Sequence, residues 1–192
     1  RGAATVDFRS ARRDGRRSTV WEFRLRMRKP METRSDTEQP TELLLVCSTG
    51  GHLLQLVALR DAWEGFPRVW VTFDKTDARS LLADEQVVHA HGPTNRNLGN
   101  LFRNLRLAWK VVRELRPKVV LTTGAGVAVP FAWVGRLHGA SVVYVESITR
   151  IDGPSLSCRL IRPVAARTYV QWPELTEAVR GARYAGSVFD AR

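Results

Sequence analysis

The stretch Leu43-Leu44-Leu45-Val46-Cys47-Ser48-Thr49-Gly50-Gly51-His52 decides the fold. Its four leading apolar residues, Leu43 to Val46, read as a short buried strand. Beyond the glycines, Leu53-Leu54-Gln55-Leu56-Val57-Ala58-Leu59 sets apolar residues at helical spacing. The order is strand, glycine turn, helix. Paired glycines carry no Cβ, so backbone passes close to a ligand there. The unpaired N–H groups of a helix start favour phosphate or another anion. The same residues also suit a plain strand-to-helix turn in any α/β protein, and the motif alone does not choose.

Working outward, the pattern repeats. Residues 42–47 form the first expected strand and 52–64 the first helix. Residues 68–73 read as a second strand, five of its six residues β-branched or aromatic. A short helix at 75–84, a strand at 86–89 and a loop at 91–97 follow. Residues 118–123 read as a fourth strand, then Gly124-Ala125-Gly126, then an apolar helix over 127–138. This repeats the opening motif. Strands at 141–145 and 168–172 flank a helix at 154–166, and Pro173 opens a last short helix. Strands alternating with helices predict an α/β fold, a Rossmann-like parallel sheet with helices on both faces. Ligands of such sheets bind beyond the carboxyl ends of the strands. Gly50, Gly51, His52, Gly124, Gly126, Glu146 and Ser147 all fall at those ends.

The helix over 97–116 is the most amphipathic element. Leu98, Leu101, Phe102, Leu105, Ala108, Trp109 and Val112 recur at three- and four-residue steps, and Arg103, Arg106, Lys110 and Arg113 lie off that stripe. Pro117 stops it. The ordinary expectation packs the stripe on the sheet. The alternative is an interfacial helix on anionic lipid.

Composition sets the outer bounds. The chain has 192 residues, 44% of them hydrophobic, enough for one domain over 41–192 with a tail at 1–40. The net charge is +11 and the pI about 10.9, which suits nucleic acid, an anionic membrane surface or a phosphorylated substrate. The tail holds Arg12-Arg13, Arg16-Arg17, Arg24, Arg26, Arg28 and Lys29 with few aliphatics. It reads as a disordered basic segment. The chain starts at Arg1, with Met27 and Met31 available as starts, so the tail reads as upstream sequence or a scar before it reads as a native arm. Cys47 and Cys158 show no metal spacing, and two thiols without a signal peptide point to a reducing cytoplasm. No apolar run reaches the roughly 18 residues of a transmembrane helix, so membrane contact is expected to be peripheral or made through a partner.

Four segments carry a family resemblance: Cys47 to Leu53 (CSTGGHL), Thr122 to Trp133 (TTGAGVAVPFAW), Val145 to Leu156 (VESITRIDGPSL) and Val170 to Leu175 (VQWPEL). In this order they resemble the acceptor-side subunit of two-part glycosyltransferases. One branch serves the dolichol pathway. The more similar branch is the bacterial PssD type of capsule and exopolysaccharide synthesis. The resemblance implies a GT-B arrangement split over two chains, this one similar to the N-terminal half of the single-chain transferase MurG. A separate catalytic subunit would bind the UDP-sugar donor, and this chain would hold a lipid-linked saccharide acceptor at the cytoplasmic face of the membrane. It also implies no cofactor and no metal, in keeping with the lack of an Asp-x-Asp motif. Two departures stand out: residues 1–40 cannot be the N-terminal anchor of the dolichol-pathway members, and Cys158 replaces a small residue.

Sugar transfer needs a base for the acceptor hydroxyl and positive groups for the leaving diphosphate. Glu146 is a candidate base or hydroxyl-binding carboxylate; equally, it pairs with Arg150 and holds the loop. His52 is a second candidate base, a ligand for acceptor phosphate, or a cap for its own helix. Thr49, Gly50, Gly51, Gly124 and Gly126 offer backbone contacts to the acceptor, and Ser147 and Arg150 offer side chains; plain turn geometry also explains the glycines. Arg159 is a weaker phosphate candidate. His89, His91 and His138 read as structural. Trp172 and Pro173 face the partner subunit or the core. Two other function classes stand beside this one. A self-sufficient nucleotide-sugar enzyme, such as an epimerase or reductase, lacks support from a G-x-G-x-x-G fingerprint. A nucleic-acid-binding module lacks the usual recognition signatures.

Overall fold

The computed structural model describes residues 41–94 and 97–189. The expected disordered segment at 1–40 lies outside the described residues. Strands β1 (Leu43–Val46), β2 (Arg68–Phe73), β3 (Val87–Ala90), β4 (Val119–Thr122), β5 (Ser141–Val145), β6 (Ala165–Val170) and β7 (Arg183–Tyr184) form one sheet. Their order is β3-β2-β1-β4-β5-β6-β7, and every neighbouring pair is parallel. Chain order reverses direction across the sheet between β1 and β4. That reversal opens a crevice at the carboxyl ends, the usual ligand position in open α/β sheets.

Each strand feeds both faces, because successive side chains point to opposite sides. Leu44 and Val46 join one core with Val69, Val71, Val120, Val142 and Tyr144. Leu43 and Leu45 join the other with Trp70, Val119, Leu121, Val143 and Val145. Helices α4 (Leu98–Leu115), α5 (Ala128–Leu137) and α6 (Leu156–Ile161) cover the first face. Helices α1 (Gly51–Ala58), α2 (Arg60–Trp63) and α3 (Thr76–Leu81) cover the second. A final short helix, α7 (Leu175–Ala178), leads to β7. The expected parallel sheet with helices on both faces is therefore the observed fold. Gly135 lets α5 sit close to β4: a Cβ there would stand 2.6 Å from Val120 Cγ2.

Three expectations change. The first helix, read as 52–64, breaks at Leu59 into α1 and α2. The break buries both Leu59 and Trp63, and the Trp63 indole N–H donates to the Leu56 carbonyl at 2.8 Å. The helix read as 154–166 ends at Ile161, and a 3-10 turn over Arg162–Val164 leads straight into β6. Pro163 has no N–H to continue an α-helix, so β6 begins at Ala165, ahead of the expected 168.

The third change concerns α4. Of its apolar stripe, only Ala108 and Val112 are buried; Leu98, Leu101, Phe102, Leu105 and Trp109 are 39–70% exposed. The helix instead turns Asn100 and Asn104 inward. Asn104 accepts from the His91 N–H and donates to the His91 carbonyl, each at 2.8 Å. Asn100 donates to the Pro93 carbonyl at 2.8 Å. Loop backbone groups that need partners decide which face of α4 points in.

Candidate functional site

A cavity of about 1230 Å³ opens beyond the carboxyl ends of β1 to β5. Ser48 and His52 enter it from the turn after β1, and Asp74 and Lys75 from the turn after β2. His91 to Thr94 follow β3, and Ala125 and Gly126 follow β4. Ser147, Thr149 and Arg150 come from the loop after β5. Asn100 and Arg103 of α4, and Leu156 and Leu160 of α6, close one side. The lining comes from the loops at the carboxyl ends of the strands and from α4, α5 and α6.

His52 is fixed by a reciprocal clamp across the crevice. Its Nδ1 lies 2.8 Å from the Thr123 carbonyl, and the Thr123 hydroxyl donates to the His52 carbonyl at 2.8 Å. A carbonyl only accepts, so Nδ1 carries the proton. In the neutral ring Nε2 then holds the lone pair and has no protein partner among the described residues. The clamp joins the two glycine turns, one after β1 and one after β4, which the sequence pattern repeats.

Glu146 is placed differently from the expectation. It is fully buried and does not line the cavity. One carboxylate oxygen accepts from the Tyr144 hydroxyl at 3.0 Å and from the Ser147 N–H at 2.9 Å; the other accepts from the Ser155 N–H at 2.9 Å. Its carbonyl accepts from Gln55 Nε2 at 2.7 Å, and Gln55 Oε1 takes the Ile148 N–H at 3.2 Å. The 147–155 loop is therefore strung on Glu146 and Gln55. The expected pairing of Glu146 with Arg150 is not formed; Arg150 has no ion pair among the described residues. Burial, and next the Glu146 charge, hold the Tyr144 phenol protonated well above the ordinary range.

Of the sequence-derived candidates, His52, Gly126, Ser147 and Arg150 meet at the cavity; Thr49, Gly50, Gly51, Gly124 and Glu146 stand outside its wall. Gly124 has a fold reason: at φ +101 a Cβ would sit 2.9 Å from the Tyr144 hydroxyl. The Gly50 N–H donates to Asp77 Oδ2 at 2.6 Å. A carboxylate of the chain itself thus occupies the amide at the start of α1. Trp172 does not decide between core and partner: half-buried, it donates to the Ile148 carbonyl at 2.7 Å and steadies the same loop.

Sequence reasoning missed Lys75, Arg103 and His91 as cavity residues. No local motif flags them, because they arrive from three separate elements. Lys75 and Arg103, together with Arg150, make the wall electropositive. The one acid there, Asp74, is bound by both Nε and Nη2 of Arg79 at 2.6 and 2.7 Å. That hydrogen bonding holds the Asp74 carboxyl below its usual range. Phosphate-bearing ligands suit such a wall. Burial pushes the thiols of Cys47 and Cys158 up to about 12, so neither serves as a nucleophile at neutral pH. No cluster of three or more His, Cys, Asp or Glu able to hold a metal occurs among the described residues.

Comparison with known proteins adds sequence and fold relations. A family model described as "Oligosaccharide biosynthesis protein Alg14 like" matches residues 93–188. The chain is 28% identical over 178 residues to a mouse protein named UDP-N-acetylglucosamine transferase subunit ALG14, a match spanning 76% of this chain and 82% of the mouse one. Among solved structures, MurG of Acinetobacter baumannii superposes with a TM-score of 0.64 at 16% identity, over 80% of this chain and 47% of MurG. A UDP-N-acetylglucosamine 2-epimerase from Rickettsia bellii gives 0.61 at 10% identity, over 78% of this chain and 46% of the epimerase. The chain spans about half the length of each of these enzymes. At such identities the likeness is one of fold.

Proposed function

The chain belongs to the Alg14-like family of oligosaccharide biosynthesis proteins, and from that premise we propose that it is the acceptor-side subunit of a two-chain UDP-sugar glycosyltransferase. A donor-binding partner chain completes the enzyme. The acceptor is a lipid-linked saccharide presented at the cytoplasmic face of a membrane. The setting is exopolysaccharide or capsule assembly, the branch its four segments most resemble. UDP-N-acetylglucosamine is the first donor to test, because the mouse relative is named for that sugar.

The observation that carries this reading is the open cavity at the carboxyl rim of the sheet, with His52 clamped in its wall. His52 Nε2 takes the acceptor hydroxyl proton as the hydroxyl attacks the anomeric carbon of the donor and the bond from that carbon to the diphosphate breaks, UDP leaving on the partner's side. The fixed Nδ1–H···O=C contact keeps the ring in the tautomer that can do so. Arg150, Ser147 and the backbone at Gly126 hold the acceptor phosphates. Thr49, Gly50, Gly51 and Gly124 shape the two turns that carry these groups. Glu146 acts through others, by holding Ser147 and Ser155 in place.

The test is sugar transfer from UDP-N-acetylglucosamine to a lipid-diphosphate saccharide. The purified chain is assayed alone and with the product of its neighbouring gene. Transfer only with the partner supports the proposal. Full transfer by the chain alone overturns it in favour of a self-sufficient enzyme.

A further inference from the structure

The two helical layers differ sharply in their outer surfaces. On the α4–α6 layer, α4 exposes Leu98, Leu101, Phe102, Leu105 and Trp109. Helix α5 adds Trp133 and Leu137, and α6 adds Leu156 and Leu160. These side chains belong to one surface: the Trp109 ring meets the His138 ring at the end of α5, centroids 4.9 Å apart, and the Trp133 indole donates to the Leu160 carbonyl at 3.0 Å. The α1–α3 layer exposes only Leu54 and Leu81 among large apolar side chains.

Charge divides the same way. Helices α4 to α6 carry Arg103, Arg106, Lys110, Arg113, Arg136 and Arg159 against a single acid, Glu114. Helices α1 to α3 carry Arg60 and Arg79 against Asp61 and Asp77 and balance. One layer is thus both apolar and cationic, and the other neither. The inward face of α4 is already filled by Asn100, Asn104, Ala108, Val111 and Val112, so burial against the sheet does not account for the exposed apolar groups.

We propose that the outer face of the α4–α6 layer is the membrane-docking surface of this protein. It lies on an anionic bilayer, with its leucine and aromatic side chains in the headgroup–acyl boundary and its arginines and lysine among the lipid phosphates. Aromatic and aliphatic groups beside cations, with no acidic counterweight, match that interface. A protein interface of ordinary kind would deplete lysine at its centre and supply acids to pair with the arginines. Leu156, Leu160 and Arg103 belong both to this surface and to the cavity wall. Docking therefore sets the cavity mouth at headgroup depth, where a lipid-linked acceptor keeps its diphosphate. The inference rests on the membrane part of the proposed function but is read without sugar transfer, so either can fail alone.

The experiment uses the full chain and vesicles of phosphatidylcholine, with or without about a third phosphatidylglycerol. Phe102→Cys is labelled with an environment-sensitive dye, with Leu54→Cys as the control on the opposite layer; the native Cys47 and Cys158 are buried. The expected result is a blue shift of the dye at 102, on anionic vesicles only, with the dye at 54 unchanged. Replacing Arg106 and Lys110 by Glu (R106E with K110E) weakens vesicle binding about tenfold or more. A dye at 102 that stays in water on bound vesicles overturns the proposal, because binding then runs through another region such as the basic residues 1–40. A dye at 102 that is covered on adding the partner chain without lipid overturns it as well, making the face a protein interface.

Discussion

At the residue scale, His52 and Glu146 are both conspicuous in the sequence, yet the structure places them in opposite environments. His52 reaches the cavity with Nδ1 committed to the Thr123 carbonyl. Glu146 has its carboxylate committed to the Tyr144 hydroxyl and two loop N–H groups. Their variants should separate accordingly. His52→Ala is expected to lower kcat with the partner present by about a hundredfold to ten-thousandfold, the range of a lost general base, while the lost Thr123 contact lowers stability by only about 1 kcal/mol. Glu146→Gln turns an acceptor into a donor facing other donors, and a buried unpaired group costs about 1–3 kcal/mol. Urea unfolding should show that loss as a lower midpoint at unchanged slope. A fully stable Glu146→Gln with kcat abolished would reverse the two roles. The position of Glu146 at the end of a strand was legible from sequence. So was its desolvation at the end of a buried strand; the partners of its carboxylate were not, because Ser155 reaches it through a loop whose path no local pattern records.

At the scale of the element, α4 shows why periodicity names a helix without naming its inner face. The boundaries expected at 97–116 agree with Leu98–Leu115, capped by the Asn97 side chain on the Asn100 N–H at 2.9 Å and closed by Arg116 at φ +46. The apolar stripe was legible, but its direction was set by two asparagines. Asn100 and Asn104 are an i, i+4 pair, the one sequence signal that pointed the other way. Asn104→Ala removes both partners of the His91 backbone and should cost about 1–2 kcal/mol, with faster hydrogen exchange at the His91 amide. Phe102→Ala, on the outer face, should stay within about 0.5 kcal/mol. Equal costs at the two positions would contradict this orientation. Helix α6 and the α1–α2 break were less legible, since Pro163 and the burial of Trp63 act over single turns shorter than the periodicity window.

At the scale of the molecule, the strand, glycine turn and helix at residues 43–58 foretold the parallel sheet and its rim because glycine turns and buried strands are local. Strand β7 escaped notice: two residues, Arg183 and Tyr184, carry no alternation to read. The cavity wall was half legible. His52, Gly126, Ser147 and Arg150 stand at strand ends, whereas Lys75, His91 and Arg103 converge only through the sheet order. The cavity that results is electropositive, which suits a chain that keeps a diphosphate-bearing acceptor and leaves the donor to another. Equilibrium binding to the purified chain without its partner tests that division most directly, using UDP-N-acetylglucosamine and, in parallel, a short-chain lipid-diphosphate saccharide. The account predicts that the lipid diphosphate binds and that Arg150→Gln weakens it about tenfold, as loss of a charge-assisted contact does, while the UDP-sugar binds only once the partner is added. Tight binding of the UDP-sugar to this chain alone would contradict it.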